Sequence, residues 1–293
     1  MLKGSVAVFE PDALHPRVTL TRGATLHDRS VLRGPDEPWS GPINRLLARN
    51  DAPAAVVVLT EPGGPSGAQA LVEQLRAEAS ADTRKPWLSA PTLLDAGTCR
   101  GLAEARLGAG ADLPDHLHLG CGVAAAGVQI AHQWRRTPSG QPWSAASWWV
   151  GPSGFGAGTL AEWTSRDGLM QASSLMGVEL TAPTLRATDD LRPFVDEDPG
   201  WRPLTDAVID DAAKALAVTL GGLINVLDCA DVVLHAYPSE LFEGLTEAID
   251  RHVQRYSFQS LREGLRWHRA RLGADAATIG AALEWTERYG GRQ

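Results

Sequence analysis

"PTLLDAGTCRGLAEARLGAGADLPDHLHLGCGV", residues 91–123, places an apolar run, one carboxylate, a helix-forming segment and a second apolar run in direct succession. Asp95 stands at the first junction. An aspartate there caps a helix, because its oxygen accepts an orphan N–H of the first turn and its charge suits the dipole. The end of a strand is also where a general base can stand, so both readings are open. The second run, "HLHLGCGVAAAGVQI", reads as a strand that Gly120 and Gly122 turn back on itself as a hairpin.

Working outward, "SVAVFEPD", "RVTLTRG" and "ATLHDRSVLRG" are three β-prone runs separated by Pro, His and Gly. A short helix is expected over Pro42–Arg49. "AAVVVLTEPGG" then reads as a buried strand ending in a Pro-Gly turn, and Ala68, Leu71, Val72 and Leu75 recur at helical spacing behind it. The resulting order, three strands, helix, strand, helix, is that of a ribonuclease-H-like unit. Toward the C-terminus the pattern predicts a long helix in "DAVIDDAAKALAVTLGGLINVLD", a strand in "ADVVLHA", and helices in "SELFEGLTEAIDRHVQRY" and "DAATIGAALEWTERYG". No repeat of solenoid length is present.

A chain of 293 residues with 44% hydrophobic and 21% charged residues suits one large or two moderate globular domains. No apolar run reaches the roughly 20 residues of a membrane helix, and the start does not read as a signal peptide. Cys99, Cys121 and Cys229 are far apart and outside any CxxC pattern, which suits a reducing cytoplasm. A net charge of −8 is a poor basis for gripping nucleic acid. The basic stretch 251–271 is expected to be a solvated helix face.

Several segments, in order, resemble the ROK family of repressors and sugar kinases. "DAGTCRGLAEARLGAGADLPDHLHLGCGV" is similar to the family's Asn-Asp-Ala-Asn helix followed by a strand with Gly-Thr-Gly-Val-Gly. "GTLAEWTSRDGL", "LAVTLGGLINVLDCADVVLHA" and "ARLGADAATIGAALEW" resemble its later motifs. The resemblance runs from about Pro53 to Glu287. It implies an α/β, actin-like fold with two ribonuclease-H-like lobes and a cleft for sugar and nucleotide. The expected lobes are residues 1–112, with the helix 276–293 packed back on them, and residues 113–275.

The departures bear on function. The family's base motif aligns with Leu94, Asp95, Ala96 and Gly97, so the carboxylate is kept while both sugar-binding amides are gone. An Asp-x-Gly-Gly-Thr phosphate loop is absent before Arg49; "FEPDALHP" offers Asp12 without glycines. The second phosphate clamp keeps Gly120 and Gly122, but Ala124 and Ala126 add Cβ atoms where glycine lets a phosphate approach. The adenosine motif reads Val233, Leu234, His235, Ala236. The family's zinc ligands align near Trp149, Pro152, Gly154 and Thr159, none of which binds zinc, and its sugar-contacting Glu aligns near Ala146. His116 and His118 share one strand face and are expected to be structural. Residues 131–165 carry five of the ten tryptophans. Burial of the Trp148–Trp149 pair, worth at most about 8–12 kcal/mol, is expected to hold this loop without metal. Alternatively Trp134, Trp143 and Trp149 form a stacking surface for a sugar.

Together these readings point to a non-catalytic, sugar-kinase-like sensor, regulatory or scaffold domain. One alternative is an active, ATP- and magnesium-dependent sugar kinase, with Asp95 as base, Gly120 and Gly122 on the phosphates, and Asp95 and Trp149 on the sugar. Another is a regulator without its winged helix. The expected ligand is a sugar or sugar derivative. No cofactor, zinc, nucleic acid or membrane is expected for the non-catalytic reading, and the chain is expected to be a cytoplasmic homodimer.

Overall fold

A computed structural model describes residues 5–11, 16–32, 37–61, 67–81, 87, 90–123, 125–153, 156–175, 206–236, 241–259 and 263–289. The chain divides into two compact units. One holds residues 1–103, 186–194 and 274–293; the other holds 104–185 and 195–273. The α/β fold expected from sequence is present, with one five-stranded sheet in each unit.

The first sheet has the order β3-β2-β1-β4-β5. Its strands are β1 (Val6–Glu10), β2 (Arg17–Arg22), β3 (Thr25–Val31), β4 (Ala55–Thr60) and β5 (Thr92–Asp95). β1, β2 and β3 are antiparallel neighbours, whereas β4 and β5 run parallel to β1. Strand side chains alternate between faces, and both faces here are apolar. Ala7, Phe9, Val56 and Val58 pack on α1 (Ser40–Leu47) and α2 (Gly67–Ala81). Val6, Val8, Val57 and Leu59 pack with Cys99 of α3 (Ala96–Leu107) and with Ala277, Ala281 and Trp285 of the terminal helix α8 (Ala276–Tyr289). A sheet covered on both faces explains why β1 and β4 read as continuous apolar runs.

The second sheet, β8-β7-β6-β11-β12, has the same topology. Here β6 (His116–Cys121), β7 (Ala125–Ile130) and β8 (Gln133–Trp134) are antiparallel neighbours, and β11 (Asp231–Ala236) and β12 (Arg266–Arg269) run parallel to β6. Leu117, Leu119, Val232 and Leu234 face a core completed by α6 (Asp206–Leu227) and α7 (Leu241–Val253). A small hairpin, β9 (Trp149–Ser153) and β10 (Gly156–Thr159), leads into α4 (Leu160–Thr164) and α5 (Arg166–Leu175).

The basic stretch 251–271 is not a helix face throughout: it leaves α7 and ends in strand β12. Three of its exposed arginines are matched by acids, Arg251 by Asp210, Arg266 by Asp231 and Arg269 by Glu243. The three cysteines are free and buried. Among the described residues, no helix is long and apolar enough to cross a membrane.

Candidate functional site

β4 and β5 end side by side, with Thr60 in register with Asp95, so Glu61 and Asp95 both stand at the carboxyl end of the first unit's parallel strands. Ligands of open α/β sheets bind at such ends. Asp95 is the N-cap of α3: Thr98 N donates to its Oδ1 at 2.6 Å, and Thr98 Oγ1 donates to the Asp95 carbonyl at 2.9 Å. The carboxyl is also tuned. Burial raises its pKa to about 6, and the Glu61 charge adds to the rise, against the Thr98 N–H and Arg100. Capping and proton exchange near neutrality thus coexist in one half-buried group.

Glu61 and Arg100 were not singled out in the sequence. Arg100, on α3, forms a bidentate pair with Glu61, with Nη1 to Oε2 at 3.0 Å. The two residues are 39 positions apart. The only local signals are a carboxylate placed just before the Pro-Gly pair that follows β4 in the sequence and a cation just over one helical turn beyond the cap. Leu94, where the family resemblance implies a sugar-binding amide, is buried in the core against α8 and offers no polar group.

β1 ends on Glu10, at the strand where the resemblance implies a phosphate loop and a carboxylate near magnesium. Glu10 is already occupied. Arg17 donates from Nε at 2.5 Å and from Nη2 at 3.0 Å, and Thr278 Oγ1 donates at 2.7 Å. Burial alone would raise its pKa, but Arg17 reverses this and lowers it. Arg29 beside it pairs with Asp275. Asp12 lies outside the described residues.

Gly120, Gly122 and Trp149 all belong to the second unit. A Cβ on Gly120 would collide with the carbonyl of Val123 and crowd Ala125. Gly122 has φ +76°, a conformation that favours glycine. Its N–H donates to Thr164 O at 2.8 Å, so that donor is spent on the end of α4. Ala124 lies outside the described residues. On β11, His235 is buried at 4% exposure and its ring stands 6.5 Å from that of His118.

The tryptophans correct the sequence reading. Trp148 and Trp149 are 40% and 65% exposed, so the pair does not bury itself in place of a metal. Trp148 instead meets Trp143 edge-on, with centroids 5.5 Å apart. Backbone bonds hold the loop: Leu160 N donates to Trp148 O, Ala161 N donates to Ala146 O, and Thr159 and Glu162 form a capping box at α4. Trp134 is buried over Gly127, where its indole excludes any Cβ. Of the three indoles expected to form a stacking surface, Trp149 alone is largely exposed, and Trp134 is withdrawn into the core. Among the described residues no group of three His, Cys, Asp or Glu side chains is placed to hold a metal ion.

No family model and no curated protein matches this sequence. Solved structures do. A ROK family glucokinase from Streptomyces griseus, in complex with glucose and AMPPNP, is similar with a TM-score of 0.63 at 15% identity, covering 95% of this chain and 98% of the other. The ROK hexokinase from Thermus thermophilus gives 0.58 at 21% identity, covering 96% and 98%. A ROK family transcriptional regulator, homologous to the E. coli MLC protein, gives 0.63 at 14% identity, covering 98% of this chain and 79% of that one. The chain therefore has the fold of ROK proteins.

Proposed function

We propose that this ROK-fold chain is a divergent family member that recognises a sugar or sugar derivative without phosphorylating it, as a sensor, regulatory or scaffold domain. The observation that carries this reading is Glu10, whose carboxylate is closed off by Arg17 and Thr278 at the end of β1. A kinase needs donors and a metal-facing carboxylate preorganised around the transferring phosphoryl group. In the second unit the Gly122 N–H is likewise engaged, by Thr164. In the first unit Asp95, at the end of β5, is the group offered to sugar hydroxyls; in the second unit, taken by itself, the exposed face of Trp149 is a separate candidate contact. Solubility in the cytoplasm and homodimerisation belong to the same proposal.

The second reading, an active sugar kinase, is favoured by Asp95 alone: its pKa of about 6 suits a general base. Isothermal titration of the full chain with a panel of neutral and amino sugars, beside a coupled ADP assay with ATP·Mg²⁺, separates the readings. Sugar binding without ADP release is expected. Sustained phosphorylation that Asp95→Asn abolishes overturns the proposal in favour of the kinase.

A further inference from the structure

We infer that Glu104 is a latch that makes two distant passages of the chain behave as one mechanical element. The described chain passes between its units twice, inside α3 after Ala103 and again after Gly273. Glu104 is fully buried in the last turn of α3, where the helix dipole disfavours an anion. Among the described residues no ion pair to it is present, and backbone amides take that role. Its Oε2 accepts from Ala109 N at 2.8 Å, and its Oε1 accepts from Arg271 N at 2.9 Å and Leu272 N at 2.7 Å. One carboxylate therefore bridges the end of α3 and a segment 167 residues later in the chain.

The surroundings are built around that bridge. The Glu104 carbonyl accepts from Gly108 N and Gly110 N, and the carboxylate fills the space a Cβ on Gly108 would need. Just past Leu272 comes Gly273, with φ +55° and open space around it, the one residue there with left-handed backbone. The following residues are fixed to the first sheet by Asp275 on Arg29 and Thr278 on Glu10. Higher up α3, a Cβ on Gly280 of α8 would strike the Cys99 carbonyl, so the two helices are in backbone contact. α3 and the segment 271–280 are thus joined at two levels, and Glu104 is the hydrogen-bonded one. A buried charge satisfied only by amides is costly to disturb, which makes the bridge hold or release as a whole.

The test is hydrogen exchange of the full chain, read on peptides covering 105–110 and 269–273, together with scanning calorimetry. In Glu104→Ala both peptides are expected to exchange at least tenfold faster, with β1 and β6 unchanged, and the thermal midpoint is expected to fall. Gly108→Ala, which displaces the carboxylate without removing it, is expected to loosen the same two peptides to a smaller degree and serves if Glu104→Ala does not fold. Loss of protection in only one peptide, or in neither, overturns the latch, as does a uniform loss across the whole chain.

Discussion

In the first unit the strand that founds the sheet ends on Glu10, whose charge is kept and matched by Arg17; in the second the equivalent strand carries two buried histidines, His116 and His118, and burial disfavours the charged form of His116. The two sheets share one topology, yet they bury polarity by opposite means. Burial lowers the pKa of His116 to about 4, overriding the weaker upward pull of the Leu113 backbone and Asp231. Glu10 moves down for a different reason, because its partner outweighs its burial. The lesson extends to the turns. The resemblance implies a phosphate clamp in the first hairpin of each sheet. In this chain the ion pair at Glu10 and the Gly122–Thr164 bond engage those places. A topology fixes where such loops fall; the side chains decide whether anything can bind there.

The comparison breaks most visibly at the ion pair. Arg17→Met leaves Glu10 buried without its counter-charge, and unfolding free energy is expected to drop by about 3–5 kcal/mol. Adding Glu10→Gln should recover much of the loss. Urea unfolding at neutral pH checks both, and a double variant no better than the single one would contradict the charge-matching account.

The second unit should respond to acid instead. The His116 pKa is near 4 in the fold and 6.5 as the ordinary value, so the unfolded chain takes the proton first. Stability is therefore full above about pH 6.5 and declines toward pH 4, by about 3 kcal/mol at about 1.4 kcal/mol per unit. His116→Leu is expected to flatten that slope. Unfolding curves at half-unit pH steps measure it, and an unchanged slope in the variant would remove His116 as the cause.

Asp95 runs the other way and is the smallest of the three effects. Its folded pKa of about 6 exceeds the ordinary 3.8, so ionisation costs stability as pH rises through that window, while below about pH 4 the penalty is absent. Asparagine caps a helix as well as aspartate does. Asp95→Asn should thus stabilise the protein by about 1–2 kcal/mol at pH 7.5, and the gain should vanish near pH 4. Equal effects at both pH values would mean that capping alone governs this position.

Much of the fold was legible in the chain. β1 and β4 announced themselves as continuous apolar runs, α2 by Ala68, Leu71, Val72 and Leu75, and the β6–β7 hairpin by Gly120 and Gly122. The cap at Asp95 was legible too, because it acts over three residues. Strand β12 and the β9–β10 hairpin were not. The first is a four-residue run with arginine at both ends and a single apolar residue, Trp267, and the second is rich in Gly, Ser and Pro without strong periodicity. The Trp148–Trp149 pair misled because composition says that indoles favour burial, but not which way two adjacent residues at the entry to strand β9 will point.

The sequence by itself determined the order of elements, the continuous apolar runs that bury both faces of the first sheet, and the absence of the glycines and amides a kinase of this fold would use. Only the tertiary structure decided that Arg100 reaches Glu61, that Arg17 and Thr278 close on Glu10, that Thr164 takes the Gly122 N–H, and that Glu104 joins α3 to residues 271–272. The reason is physical. Hydrophobic period and capping act between neighbours along the chain. The partner of a buried charge or amide is chosen by strand register and helix packing, which bring together residues that the sequence holds far apart.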